Sequence, residues 1–192
     1  MRYCLRAGLV GLAALAIVSP QASAQGTKGE TVVYLVRNAE KASDAVQDPS
    51  LSDAGRARAA ALGTAMKNVQ LAGIFVTQFK RTTEMAAPLA TAQKLTATVI
   101  PVENNLAEYA RIVAKAVLEH RGKNVLVIGH TNTVAPVIAA LGGPKLQDIC
   151  DAAYSIIFTL RIPASGTPIL TRATYGRPDS SDPTTCGKLL SR

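Results

Sequence analysis

Thr31-Val32-Val33-Tyr34-Leu35-Val36-Arg37-Asn38-Ala39-Glu40-Lys41 decides the reading of this chain. From Thr31 to Val36 every residue is β-branched, apolar or aromatic, and no helical period runs through them. Such a run reads as a strand buried on both faces, the kind that parallel sheets contain. At Arg37 it breaks into a charged loop. Three further segments follow the same pattern of a short apolar run ending in polar residues: Ala72–Thr77, Thr96–Val102 and Asn124–Gly129.

The stretches between these runs read as helices. Ser52 caps a helix predicted from Asp53 to about Asn68, with Ala54, Ala57, Ala61 and Ala65 on one face and Leu62 beside them. A second helix is predicted from about Arg81 to Lys94, with Pro88 as a kink. A third runs from about Leu106 to His120, where Leu106, Tyr109, Val113 and Val117 share a face. A fourth starts near Asn132, carries Pro136 in its first turns and is stopped by Gly142-Gly143. Tyr154–Ile162 and Pro168–Tyr175 flank Pro163-Ala164-Ser165-Gly166 and read as a hairpin. Alternating strands and helices predict an α/β fold. The expected form is a single three-layer domain: a mostly parallel sheet, helices on both faces, and an antiparallel C-terminal edge hairpin. A chain of 192 residues, 48% hydrophobic, suits one such core. With 4% aromatics and no Trp, that core is built from Ala, Val, Leu and Ile.

The chain opens with a targeting pattern. Arg2 and Arg6 precede an apolar run, Ala7–Val18, which is short for a membrane span. Pro20 ends the run, and Ala22-Ser23-Ala24 matches a small-x-small cleavage site. The reading is a signal peptide over 1–24 with cleavage before Gln25, and a domain over 25–192 that is exported, periplasmic or secreted. An uncleaved anchor is the alternative. Cys4 lies before the apolar run, so it is not placed to accept a lipid. Residues 176–192 read as an irregular, polar, Pro-rich tail. Export leaves Cys150 and Cys186, and an oxidising compartment favours their pairing over two free thiols. A loop of that length stabilises by at most roughly 4 kcal/mol in the chain-entropy model.

The formal net charge is +8. It favours anionic ligands or surfaces, or simply a soluble surface of scattered Lys and Arg. No basic stripe interleaves with aromatics, which argues against nucleic acid. Two His far apart and no Cys/His cluster give no metal-ligand set, and no cofactor is expected.

In open parallel sheets the site lies beyond the carboxyl ends of the strands. The first strand ends at Arg37-Asn38. The second ends at Thr77, with Arg81 shortly after. The fourth ends at His130-Thr131-Asn132-Thr133. Two Arg and one His therefore converge on one sheet edge. Guanidinium groups grip phosphate oxygens in fixed geometry, and backbone amides before the fourth helix would favour the same anion. A lone Arg at a strand end is ordinarily a solvated charge; the joint placement argues for more.

Four segments, in order, resemble the histidine phosphatase (phosphoglycerate mutase-like) superfamily. Val36-Arg37-Asn38-Ala39-Glu40 is similar to its strand–Arg-His-Gly/Ala-Glu opening. Leu51-Ser52-Asp53-Ala54-Gly55 is similar to its Leu-Ser/Thr-x-x-Gly segment. Thr77 to Ala86 is similar to its second-strand block, keeping Arg81 but with Met85 where Thr is usual. Val125 to Thr133 resembles the second-His block. The resemblance implies a phosphate or phosphorylated small molecule or envelope group as partner. It implies that Arg37, Arg81 and His130 grip the phosphoryl group, with Glu40, Lys41 and Thr131 at the rim. It also implies a leaving-group acid, for which Glu103 and Glu108 are the candidates. Surface carboxylates at a helix start are the alternative for both. A mutase fits less well, because no long insertion could form a lid.

In that family the residue at position 38 is the His that takes up phosphate. Asn38 has no free nitrogen lone pair for a covalent intermediate, although it can donate and accept hydrogen bonds. His120 belongs at the opposite sheet edge, roughly 20 Å of strand away, and does not stand in. Cys150 as nucleophile is opposed by its pairing. Three explanations stay open: a phospholigand-binding pseudophosphatase, an engineered inactivating change, or slow turnover supported by His130 or water. A structural or partner-binding envelope protein without a ligand is the reading from another class.

Overall fold

The computed structural model describes residues 29–179. The expected signal peptide, Cys186 and most of the expected tail lie outside the described residues. Six strands and four helices follow in the order β1 (Thr31–Arg37), α1 (Asp53–Ala65), β2 (Leu71–Val76), α2 (Lys80–Gln93), β3 (Thr98–Val99), α3 (Leu106–Leu118), β4 (Asn124–Gly129), α4 (Val134–Ala140), β5 (Ile156–Ile162) and β6 (Ile169–Thr174).

They form one sheet in the order β3-β2-β4-β1-β5-β6. The first four are parallel, β5 runs antiparallel to β1, and β6 closes the edge as a hairpin with β5. Side chains alternate across β1 as a strand demands. Val32, Tyr34 and Val36 join the cluster that holds Ala59, Leu62, Met85 and Leu89 from α1 and α2. Val33 and Leu35 join Tyr109, Val113, Val137 and Ile138 from α3 and α4. All seven β1 residues are buried, so the two layers of core meet across the centre of the sheet.

Two glycines fix the loops that carry the site. A Cβ on Gly55 would collide with the Glu40 carbonyl oxygen, so Gly55 lets α1 start directly against the loop after β1. Ser52 donates to that same carbonyl through N (2.9 Å) and Oγ (3.2 Å), and its Oγ caps the helix by accepting from Gly55 N (3.1 Å). At the end of β4, a Cβ on Gly129 would collide with Thr133 Oγ1. That hydroxyl accepts from His130 N at 2.7 Å.

The third strand is far shorter than the predicted Thr96–Val102. It pairs only with β2 at the sheet edge, both of its residues are exposed, and the run ends where Ile100 N donates to Val76 O (2.8 Å) and Pro101 has no N–H to offer. Helix α1 stops at Ala65 rather than near Asn68, because the chain turns there with Val69 N donating to Met66 O (2.9 Å). Pro88 lies inside α2 without ending it. Helix α4 begins at Val134, two residues later than predicted, with Pro136 in the first turn, where its missing N–H costs nothing.

Candidate functional site

The register of the two central strands builds the site. Arg37 pairs with Gly129, so Asn38 and His130 leave the sheet side by side, and Asn38 N donates to Gly129 O at 2.8 Å. Both side chains turn to the α1/α2 side, and both are buried. His130 Nδ1 lies 2.9 Å from Asn38 Oδ1, and His130 Nε2 lies 2.9 Å from Thr77 Oγ1. Asn38 Nδ2 donates to Ala39 O at 2.9 Å, which fixes the amide with its oxygen toward the ring. The network therefore assigns a neutral imidazole: Nδ1–H donates to Asn38, and Nε2 accepts the Thr77 hydroxyl proton. Phe79 stands edge-on to the ring at 5.3 Å. Burial, then the charges of Arg81, Arg37 and Lys41, push the His130 pKa down to about 3.

Arg37 leaves β1 on the opposite face. Its Nη1 donates to the carbonyls of Cys150 and Asp151, each at 2.8 Å, and its guanidinium carbon sits 4.1 Å above the centre of the Tyr154 ring. Arg81, in the first turn of α2, stacks on Phe79 at 4.4 Å and lies 3.6 Å from Asp48, beyond hydrogen-bond reach. Burial lowers the pKa of both guanidiniums, but each stays cationic at any physiological pH. Arg37 Nε and Arg81 Nη1 are buried without a hydrogen-bond partner among the described residues.

These groups meet in one cavity of about 380 Å³, lined by Arg37, Asn38, Lys41, Arg81, His130 and Thr131, with Phe79, Val102 and Leu106 as an apolar wall. Glu103 lines it as well. Glu108 does not: it is exposed on α3, where Arg111 holds it at 2.6 and 2.9 Å and keeps its carboxyl below the usual range. Glu40 also faces elsewhere. Its carboxylate turns to Arg58, accepting from Nη2 at 2.7 Å and from Nε at 3.0 and 3.1 Å. Burial raises the Glu40 pKa, but the Arg58 contacts outweigh it and hold the carboxyl below the ordinary range. Glu40 thus braces the loop from behind rather than forming a rim.

The expected nest of free amides before α4 is partly used up. His130 N donates to Thr133 Oγ1, while Thr133 N and Val134 N turn back to His130 O. His120 packs edge-on to Phe75 at 5.7 Å beside Gly73, early in β2 and away from the cavity. Cys150 is disulfide-bonded; its expected partner Cys186 lies outside the described residues. No group of three or more His, Cys, Asp or Glu among the described residues could hold a metal. No helix among them is long and apolar enough to cross a membrane.

Sequence reasoning did not assign Thr77, Phe79, Tyr154, Arg58 or Asp179 a part in the site. Thr77 was visible as a strand end one helix-start away from Arg81, and that spacing was the available signal. Phe79 lies two residues before the Arg81 it stacks on, while Arg58, Tyr154 and Asp179 act over separations of up to 119 residues and leave no local trace.

Residues 29–111 match the family model of the histidine phosphatase superfamily, branch 1. The fold is the histidine-phosphatase fold. Solved structures with this histidine-phosphatase architecture superimpose well at low identity. A protein histidine phosphatase, SixA, complexed with tungstate is 18% identical, covers 74% of this chain and 96% of its own, and gives a TM-score of 0.59. A phosphohistidine phosphatase SixA assigned from Nakamurella multipartitia is 16% identical, covers 78% and 97%, and gives 0.53. Phosphoserine phosphatase from Entamoeba histolytica, in complex with 3-phosphoglyceric acid, is 14% identical, covers 79% and 98%, and gives 0.54. No curated protein matches the chain in sequence.

Proposed function

We propose that this chain is an exported phospholigand-binding protein, a histidine-phosphatase-like pseudophosphatase that grips a phosphoryl group and does not carry it covalently. The observation that supports this is one cavity lined by two guanidinium side chains, Arg37 and Arg81, together with Asn38. Guanidinium groups bind an oxyanion with charge-assisted strength. Lys41 adds a third cation at the mouth, and Asn38 Nδ2 has a second N–H to offer.

Chemistry beyond binding lacks a nucleophile. The Asn38 nitrogen is an amide, and the His130 lone pair is occupied by Thr77. Electrostatic stabilisation by the two guanidiniums would leave only residual turnover. The test is equilibrium binding of inorganic phosphate and hydrolysis of a generic phosphomonoester by the exported chain. Micromolar to millimolar binding that collapses in Arg81→Ala, with negligible turnover, is the expected result. Hydrolysis at an ordinary phosphatase rate overturns it.

The second reading is a phosphomonoester hydrolase silenced at position 38. Glu103 favours it, since a carboxylate lining the cavity could protonate a leaving group. Under this reading Asn38→His restores hydrolysis, and Glu103→Gln in that background removes it again. Export is checked separately, by the N-terminal sequence of the mature protein, which should begin at Gln25.

A further inference from the structure

Arg37 is held by a closed circuit of contacts rather than by its neighbours in sequence. From Asn38 the chain runs to Glu40, whose carboxylate holds Arg58. Arg58, with a side chain only 3% exposed, lies 3.7 Å from the Asp179 carboxylate. Asp179 in turn accepts from Tyr154 N and Ser155 N, each at 2.9 Å, and from Ser155 Oγ at 2.6 Å. Tyr154 returns to the start, because its ring lies under the Arg37 guanidinium. The carbonyls of Cys150 and Asp151 that accept from Arg37 belong to the same loop, just before Tyr154.

That loop has no helix or strand of its own between α4 and β5. Its described backbone ties beyond the end of α4 are three: Ile149 N to Thr131 O at 2.9 Å, Ala153 N to Cys150 O at 3.0 Å and Tyr175 N to Ser155 O at 2.9 Å. The Asp179 carboxylate is therefore a principal restraint on where the Tyr154 ring sits. We infer that Asp179 is a positioning residue for Arg37, acting through the Tyr154 backbone and ring to aim the guanidinium into the cavity. Binding groups held within about 0.5 Å by such supporting contacts lose affinity when the support is removed. The inference rests on the phosphate-binding reading for its affinity arm only; the geometry of Arg37 can be read without any ligand.

The experiment uses the full chain, labelled with ¹⁵N, and three variants: Asp179→Ala, Asp179→Asn, and Asp53→Ala as a control in an exposed ion pair. The Arg37 Nε–H resonance reports the guanidinium directly, and inorganic phosphate titration reports the pocket. Asp179→Ala should shift or broaden the Arg37 resonance before phosphate is added and weaken phosphate binding about tenfold, the scale on which supporting partners are felt. Asp179→Asn keeps one acceptor oxygen for the two amides, so it should fold and fall between wild type and Asp179→Ala on both readouts. Asp53→Ala should change neither. An unchanged Arg37 resonance in Asp179→Asn, with affinity within twofold, overturns the inference. A shifted resonance in a protein that binds no phosphate upholds the positioning role and overturns the phosphate reading instead.

Discussion

His130 Nδ1 and Asn38 Oδ1 lie 2.9 Å apart, with both side chains buried. Each is the other's partner, and the remaining ring nitrogen is taken by Thr77. An imidazole tied at both nitrogens presents neither a lone pair nor a free N–H to the cavity. Asn38 and His130 are therefore joined to each other by their side chains.

The first consequence is a pH-dependent stability. The folded-state pKa of His130 is about 3 against an ordinary value of 6.5. The unfolded chain takes up a proton that the folded chain refuses. This contribution is complete above about pH 6.5 and is lost as the pH falls toward 3, at about 1.4 kcal/mol per unit. Urea unfolding at pH 7 and pH 5 should show wild type losing about 2 kcal/mol more than His130→Asn. Equal losses in the two proteins would refute the buried neutral ring.

Asn38→Asp puts a carboxylate where the amide oxygen now faces His130. The imidazolium gains an opposite charge at hydrogen-bond distance, so the His130 pKa should rise. The same carboxylate repels phosphate, whose binding should fall at least tenfold. Imidazole resonances followed against pH give the first outcome, and phosphate titration the second. An unmoved ring pKa would mean that Asn38 does not face the ring in solution.

Arg37 and Arg81 should separate binding from stability. Arg37→Ala leaves the Cys150 and Asp151 carbonyls without their donor and removes the stack on Tyr154. It should cost about 2 kcal/mol of stability as well as phosphate binding. Arg81 makes no hydrogen bond through Nη1 and only a 3.6 Å approach to Asp48. Arg81→Ala should weaken phosphate binding by a similar factor while moving stability by under about 1 kcal/mol. Chemical denaturation paired with phosphate titration checks both, and a large stability loss in Arg81→Ala would contradict this division.

Glu40→Ala tests the brace behind the loop. Arg58 is 3% exposed in its side chain and would be left with a buried charge facing Asp179 at 3.7 Å. Breaking one side of such a pair costs about 3 kcal/mol. Glu40→Gln, which keeps one acceptor oxygen, should lose less. Melting curves of the two variants decide it, and indistinguishable curves would remove Glu40 from the architecture.

Reduction of the Cys150 disulfide should lower stability by about 3 kcal/mol. Urea unfolding with and without dithiothreitol measures this, and peptide mapping of the oxidised protein identifies the partner, expected to be Cys186. A different partner, or no loss of stability, would discard the expected link.

The sheet was legible because buried parallel strands need little context. Thr31–Arg37 and Asn124–Gly129 are continuous β-branched or apolar runs, and their bounds match. The apolar pattern Thr96–Val102 is longer than the strand it forms at the sheet edge, since Thr98–Val99 has neither burial nor a second neighbour to sustain it. The convergence of Arg37, Arg81 and His130 was legible from their places after strand ends. What held them was not. Glu40 reads as a pocket residue in its motif, yet Arg58, 18 positions later, draws it away. Tyr154 and Asp179 are unremarkable in sequence, and the antiparallel pairings of β1 with β5 and of β5 with β6 bring their segments together.

The pairing of Arg37 with Gly129 also sets a phase. Side chains alternate faces with a period of two, so Asn38 and His130 meet only because both strands leave the sheet in step, on the same parity. A single-residue deletion in β1 or β4 would reverse one of them. After a deletion in β1 the ring would still face the α1/α2 layer while position 38 faced the α3/α4 layer, and the guanidinium would take the amide's place. Strand length at the centre of this sheet is thus quantised in pairs, and lineages or designs that alter it must change by two residues or lose the pocket.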